Sequence, residues 1–331
     1  MKKILQYLFE HKTLSSAQAK EVLENIGKGL YNEHEVTAFM TVYLMRSITI
    51  EELKGFQDAL LELCVPVDLN GHNAIDIVGT GGDGKNTFNI STLSCFIVAG
   101  AGQKVCKHGN YGASSISGAS NVMEKLGYQF KNNSDQLLKE VEVADICFLH
   151  APMFHPALKN VGAIRKNLGI RTFFNMLGPM VNPAKPAYQL IGVFNLEMAR
   201  IYNYLLQLSG KKFTIIHSLD GYDEISLTND TKVIDENGER IMTPEQLGKR
   251  MVEPSAIFGG NTVDEAAKIF IKILKREGSW AQNAVVLANA ALALHGNGNY
   301  TCYEDAYAAA VESLESGKAE ECFNRLMKLN Q

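Results

Sequence analysis

The sequence has no run of basic residues and no stretch in which lysines and arginines alternate with aromatics. With 32 Lys and Arg against 36 Asp and Glu its formal net charge is −4, so the electrostatic footprint of a nucleic-acid binder is missing. Its six cysteines, at positions 64, 95, 106, 147, 302 and 322, include no Cys-x-x-Cys pair. That spacing argues against both a structural zinc site and a disulfide framework, and for free thiols in a reducing compartment. No apolar run approaches the roughly 20 residues that a membrane-spanning helix needs. The opening MKKILQYLFEHK has two lysines, but its apolar stretch is too short for a signal peptide. Neither an internal repeat nor a low-complexity linker occurs. The expectation is a cytoplasmic protein without nucleic-acid or membrane partners. At 46% hydrophobic over 331 residues, the chain can bury a large core, as one large domain and a smaller one.

What is present divides by texture. Residues 1–65 carry helical patterns only. Leu14-Ser15-Ser16-Ala17-Gln18 offers a serine N-cap before EVLENI, and Asn32 before EVTAFMTVYLM and Thr49 before EELKGFQDALLEL are further candidate N-caps. Pro66 and Asn70-Gly71 interrupt them. From Ala74, strand-like runs (AIDIVG, QKVCK, DICFLH, YQLIGVF, KFTIIHS) alternate with helical ones near 90–101, 117–126, 134–143, 156–168 and 196–208. Such alternation predicts a mostly parallel sheet with helices on its faces. Residues 227–241 read as a hairpin or meander, and the remainder as helices. The alanine-rich helix near 282–295 is apolar on most faces and is expected to be buried.

The AIDIVG strand runs into GTGGDGKNTFNIST, four glycines in six residues ahead of a helix. Glycine lets bare backbone amides close around an anion, and the helix N-terminus adds a favourable dipole. Three generic readings compete. Gly79, Gly81 and Gly84 fit the dinucleotide pattern, but no acid follows about 20 residues on, where GQKVCKHG stands. Gly79 to Lys85 nearly fits a P-loop, but Asn86 occupies the position of the magnesium-binding hydroxyl. A plain glycine-rich turn is the third. Asp83 is the anomaly, because a carboxylate repels phosphate unless it faces a metal, a water or a sugar hydroxyl. Asn89, Ser91 and Thr92 open the following helix, where side chains and amides can donate to phosphate.

A second glycine stretch, KVCKHGNYGASSISGASNVMEKL, follows another strand. Lys107 offers a point charge for phosphate and Ser114, Ser115 and Ser117 offer hydroxyls. His108 could orient a ligand, although a lone histidine at a strand end is more often a structural residue. Two strand–loop–helix units suit a ligand with two phosphate groups. Asp220, Asp223 and Glu224 crowd the loop HSLDGYDEIS, an arrangement that favours a cation: magnesium takes one or two carboxylates and completes its shell with phosphates and water. Arg165 stands on a helical segment, where it is either a surface residue or a fork for a substrate carboxylate. NMLGPMVNPA at 175–184 reads as a hinge or crossover.

Taken in order, GTGGDGKNTFNIST, KHGN, the Ser-Ser-x-Ser-Gly segment, RTFFNMLGPMVNPA and DGYDEIS resemble the anthranilate phosphoribosyltransferases over about the whole chain. The resemblance implies an α/β protein with a small all-helical domain and a larger domain built on a mostly parallel central sheet flanked by helices. The small domain would take residues 1–70 and a segment near 162–182, and the larger 74–161 and 185–331. It also implies an active site at the hinge and a homodimer formed through the helical domains. Carried over by position, the phosphoribosyl pyrophosphate site would comprise Gly79, Gly82, Asp83, Thr87, Asn89, Ile90, Ser91, Thr92, Lys107, His108, Gly109, Asn110, Tyr111, Gly112, Ala113, Ser114, Ser115 and Ala119. Gly79, Asn110 and Arg165 would contact anthranilate. Ser91, Asp223 and Glu224 would hold two Mg2+ ions per monomer, with Asp83 facing a metal-bound water or the ribose. The family usually reads KHGNR, a lysine near 116 and SGSAD near 117–121; here Tyr111, Ile116, Ala119 and Asn121 stand instead. Either structural ion pairs are exchanged together, or pyrophosphate binding and acceptor choice change. A nucleoside phosphorylase of the same fold and a non-catalytic nucleic-acid-binding homologue are the alternatives. The first should lack the acidic pair, and the second wants a basic face.

Overall fold

The computed structural model describes residues 1–112, 115–247 and 250–330. Four helices come first: α1 (Lys2–Phe9), α2 (Ser16–Gly27), α3 (Glu33–Met45) and α4 (Ile50–Leu63). Strands and helices then alternate through β1 (Ile75–Gly79), α5 (Ile90–Gly100), β2 (Val105–Gly109), α6 (Ala119–Lys125), α7 (Ser134–Ala144) and β3 (Ile146–His150). Helices α8 (Ala151–Phe154), α9 (Lys159–Leu168) and α10 (Phe174–Leu177) precede β4 (Tyr188–Gly192), α11 (Leu196–Ser209) and β5 (Lys212–Ser218). The hairpin β6 (Thr231–Asp235) and β7 (Gly238–Met242) leads to α12 (Val263–Leu274), α13 (Trp280–Gly296), α14 (Tyr303–Glu315) and α15 (Lys318–Lys328).

The chain divides into two compact units, one of residues 1–67 and 151–185, the other of 68–150 and 186–331. Residues 151–161, assigned from the sequence to the α/β part, thus group with the helical unit. The segment 175–184 holds α10 and a 3-10 turn, Gly178–Met180, at the end of that unit, next to the passage at 185–186.

In the helical unit, the three candidate caps all close reciprocal boxes. Ser15, Asn32 and Thr49 each accept from the backbone amide three residues on, and Gln18, Glu35 and Glu52 each accept in return. Phe173 inserts among Phe39, Tyr43 and Phe56, stacking on Phe56 with centroids 4.6 Å apart. The returning segment therefore supplies part of this unit's core.

In the α/β unit, seven strands among the described residues form one sheet in the order β3-β2-β1-β4-β5-β6-β7. The first five are parallel and the hairpin is antiparallel. β3 and β4 are buried throughout, which requires cover on both faces. Much of it comes from α5 and α13, whose residues 92–99 and 284–294 are buried without a break. β7 is largely exposed and is lined by the pairs Lys232–Glu239 and Arg240–Asp235, charge that blunts an open edge. Successive strands β1, β2 and β3 step one way, and β4 returns to the other side of β1. The order reverses between β1 and β4, and in open α/β sheets ligands bind beyond the carboxyl ends of the strands at such a switch.

Candidate active site

The carboxyl ends of β1 and β4 are Gly79 and Gly192, register partners in the sheet. Both are bare for the same reason. A Cβ on Gly79 would fall on the Asp223 carboxylate, and one on Gly192 would fall on the Asp223 backbone carbonyl. The loop after β5 thus lies directly on the switch point, and Asp223 Oδ2 accepts from the Gly81 amide at 2.7 Å. Gly192 was not singled out in the sequence, although a glycine closing a strand-like run is the same signal that Gly79 gives.

Asp223 is buried, and Glu224 is half-buried with Oε2 shut off from solvent and without a hydrogen-bond partner. Burial pushes both carboxyls above their ordinary range; the charge of Asp83 adds to it at Asp223, and those of Asp223 and Asp83 at Glu224. Lys107 and the Ser91 amide offset only part of this at Glu224. Two crowded acids with an unmet oxygen are what a hard cation relieves. Among the described residues no group of three or more His, Cys, Asp or Glu could hold a metal alone, so the donor set fits an ion that completes its shell with substrate phosphates and water. The Asp220 carboxylate accepts from the Thr228 hydroxyl through Oδ2.

Around this pair the glycine loop runs through Gly81, Gly82 and Gly84 at positive φ (63°, 77° and 75°), a conformation for which glycine is suited. Asp83 Oδ1 accepts from the Lys85 amide at 2.9 Å, so the anomalous acid folds back on its own loop. Lys85 lies over the Tyr222 ring, 4.5 Å from its centroid, joining the loop to the acidic segment. A strip that sequence reasoning passed over holds the other side: Thr87 bridges Phe258, Gly259 N donates to Asn86 O at 2.7 Å, and Asn86 Nδ2 donates to Gly260 O at 2.7 Å. The doublet Gly259-Gly260 before a helix was its signal.

Lys107 is buried inside β2 and reaches across the sheet, its Nζ donating to Ile77 O at 2.6 Å and to Ser91 Oγ at 3.3 Å. Ser91 is in the first turn of α5, beside its N-cap Asn89. The Asn89 side chain does not cap the helix; its Nδ2 donates to Ser117 O and ties the two glycine stretches together. Ile90 belongs to the core and Thr92 is buried, so at these positions the helix backbone is what remains for a ligand. His108 is buried, with its amide donating to Asp76. Gly109 faces Ala119, leaving little space for a larger side chain at either. Asn110 is exposed and Ser115 half-buried; Ala113 and Ser114 lie outside the described residues.

The departures from the usual pattern have a physical account. Asn121 Oδ1 accepts from both Gly112 N and Gly118 N, at 2.9 and 3.0 Å, work a neutral amide oxygen does as well as a carboxylate. Tyr111 donates its hydroxyl to Glu124 at 2.8 Å and sets its ring edge on His150. Ile116 is exposed, its amide near Asn86 Oδ1. Charge is absent at these positions together, and the hydrogen bonds of Tyr111 and Asn121 remain.

In the helical unit, Arg165 on α9 is half-buried with its guanidinium over the Phe174 ring, 5.5 Å from the centroid. No acidic side chain pairs with it among the described residues, and burial pulls its pKa down. A desolvated guanidinium of this kind favours an incoming carboxylate.

Comparison with known proteins agrees with this geometry. Residues 71–320 match the "Glycosyl transferase family, a/b domain" and residues 2–64 the "Glycosyl transferase family, helical bundle domain". The chain is 57% identical over 331 residues to an anthranilate phosphoribosyltransferase of Christiangramia forsetii, covering all of both chains. It is 56% identical over 330 residues to that of Flavobacterium johnsoniae, again covering both in full. The chain belongs to the anthranilate phosphoribosyltransferase family. Among solved structures, the anthranilate phosphoribosyltransferase of Thermus thermophilus superposes with a TM-score of 0.92 at 29% identity, covering 98% of each chain. The Saccharomyces cerevisiae anthranilate phosphoribosyltransferase in complex with PRPP and Mg gives 0.88 at 29% identity, over 96% of this chain and 93% of that one. The same yeast protein in complex with 4-fluoroanthranilate gives 0.85 at 27% identity, with the same coverage.

Proposed function

We propose that this chain transfers the phosphoribosyl group of phosphoribosyl pyrophosphate to the amine of anthranilate, releasing pyrophosphate, in the second step of tryptophan synthesis from chorismate. The observation that carries it is Asp223 seated on the bare ends of β1 and β4, with Glu224 beside it and a glycine loop hydrogen-bonded to it. Names and ligands of the relatives support the same activity.

In this proposal the amides of the glycine loop and of the α5 N-terminus receive phosphate oxygens. Lys107, held in the sheet, supplies fixed positive charge next to the acidic pair. The aromatic amine is already nucleophilic, so the chain needs no strong base and its task is alignment. Arg165 is assigned to the anthranilate carboxylate, with Gly79 and Asn110 beside the acceptor, because an anchored acceptor reaches the anomeric carbon at the right angle. Charge grows on the departing pyrophosphate as the C1–O bond breaks through an oxocarbenium-like transition state. Magnesium, held by Asp223, Glu224 and Ser91, would neutralise that charge when bound. Two ions per monomer, a homodimer formed through the helical unit and a cytoplasmic setting are parts of the same proposal. No helix among the described residues is long and apolar enough to cross a membrane.

Loss of anthranilate fluorescence in the presence of phosphoribosyl pyrophosphate and Mg2+ is the direct test. Wild type should consume the acceptor, and Asp223→Asn combined with Glu224→Gln should abolish the magnesium-dependent rate. No change with saturating donor would overturn the activity, and an unchanged rate in the double variant at limiting magnesium would overturn the metal assignment.

A further inference from the structure

Helix α13 buries eleven consecutive residues, Ala284 to Leu294, and ten of them are apolar. The exception is Asn289. An amide in this position is unfavourable twice, as a weak helix former and as a buried polar group. Its hydrogen bonds offset both. Asn289 Oδ1 accepts from Ile225 N at 3.0 Å, and Nδ2 donates to Ile225 O and to Val285 O, each at 2.9 Å. The side chain therefore treats Ile225 as a neighbouring strand would, pairing both its amide and its carbonyl. Ile225 directly follows Asp223 and Glu224. The Ser218 hydroxyl donates to the Glu224 carbonyl at 2.6 Å and accepts from Ser226 N at 3.2 Å. The backbone that follows the two acids is thus held by two side chains, Asn289 and Ser218.

We propose that Asn289 is a positioning residue for the Asp223–Glu224 pair, fixing the backbone after it so that both carboxylates meet the divalent cation and the pyrophosphate it accompanies. This rests on the functional reading above and adds to it a residue that touches neither substrate nor metal. Partners of this kind behind a metal site typically account for about 10- to 100-fold in metal affinity.

The test is Mn2+ binding to the full-length protein in the presence of phosphoribosyl pyrophosphate, followed by the electron paramagnetic resonance of free Mn2+, so that turnover is not the readout. Asn289→Leu, similar in size and without hydrogen bonds, should weaken Mn2+ by about 10- to 100-fold. Asn289→Asp, which keeps the acceptor for Ile225 N but sets a carboxylate oxygen against the carbonyls of Ile225 and Val285, should also weaken Mn2+ binding, and it carries the test if the leucine variant does not fold. Leu287→Ala serves as the stability control. It lies two residues away and so on the other side of the helix, and should lower the unfolding temperature with Mn2+ affinity unchanged. Wild-type affinity in both Asn289 variants, or an equal loss in Leu287→Ala, would overturn the proposal. A wild-type protein that binds no Mn2+ would instead overturn the functional reading, so the two failures are distinguishable.

Discussion

Asp223 illustrates how much of a site can depend on atoms that are absent. It reaches the switch point because Gly79 and Gly192 have no side chains, and a methyl group at either position collides with it. The collision at Gly192 is with backbone, which cannot rotate away. Gly192→Ala should therefore displace the acidic pair, and a shift of about 1 Å in a catalytic group costs on the order of 100-fold in rate. Steady-state turnover of anthranilate measures this, and a kcat near wild type would show that the pair can act from elsewhere. Of these residues, Gly79, Asp223 and Glu224 were legible as residue types in a motif. The roles of Gly192, which closes a strand-like run as Gly79 does, and of Asn289 were not, because each acts on a segment about 30 or more positions away. Asp83 looked misplaced in a phosphate loop. Its carboxylate accepts from the Lys85 amide and adds to the negative field that a cation would relieve.

At the scale of elements, helix starts were the most legible features, since a capping box spans only four residues. Thr49 caps its helix as the sequence suggests, and Glu52 closes the box. What local pattern does not disclose is that Glu52 is fully buried and also accepts from Leu14 N and Arg46, the latter at 2.6 Å. Burial works against its ionisation, yet Arg46 and the amides of Leu14 and Thr49 hold its pKa below the ordinary glutamate value. A lowered folded value means stability that is fully present above the unfolded pKa of about 4.3 and is lost as pH falls through the lower, folded one. Glu52→Gln should destabilise the protein by about 3 kcal/mol at pH 6, the low end for a broken buried pair because Arg46 stays partly solvated. The gap to wild type should close as pH drops below about 4. Thermal unfolding of both proteins between pH 3 and 6 checks this, and a constant gap would place the stabilisation elsewhere.

Across the whole molecule, the helical unit is built from two stretches of chain, and Phe173 from the second fills the core of the first. Residues 1–67 alone should therefore fail to form a stable bundle, while the same residues linked to 151–185 should fold. Far-UV circular dichroism and cooperative thermal unfolding of the two fragments distinguish the outcomes, and a cooperatively folded 1–67 would refute the dependence. The alternation of strands and helices announced a mostly parallel sheet, because each element is specified by periodicity within about ten residues. The strand order was not available in the same way, since β1 pairs with β4 across more than a hundred intervening positions. By itself the sequence determined the elements, their caps, the glycine loops and the acidic dipeptide, all products of short-range sterics and hydrogen bonding. Only the tertiary structure decided that the order reverses between β1 and β4, that Asp223 rests on two bare glycines there, and that Asn289 holds the segment behind it. Those facts depend on which distant surfaces fit together, and close packing of distant segments is a property of the assembled core.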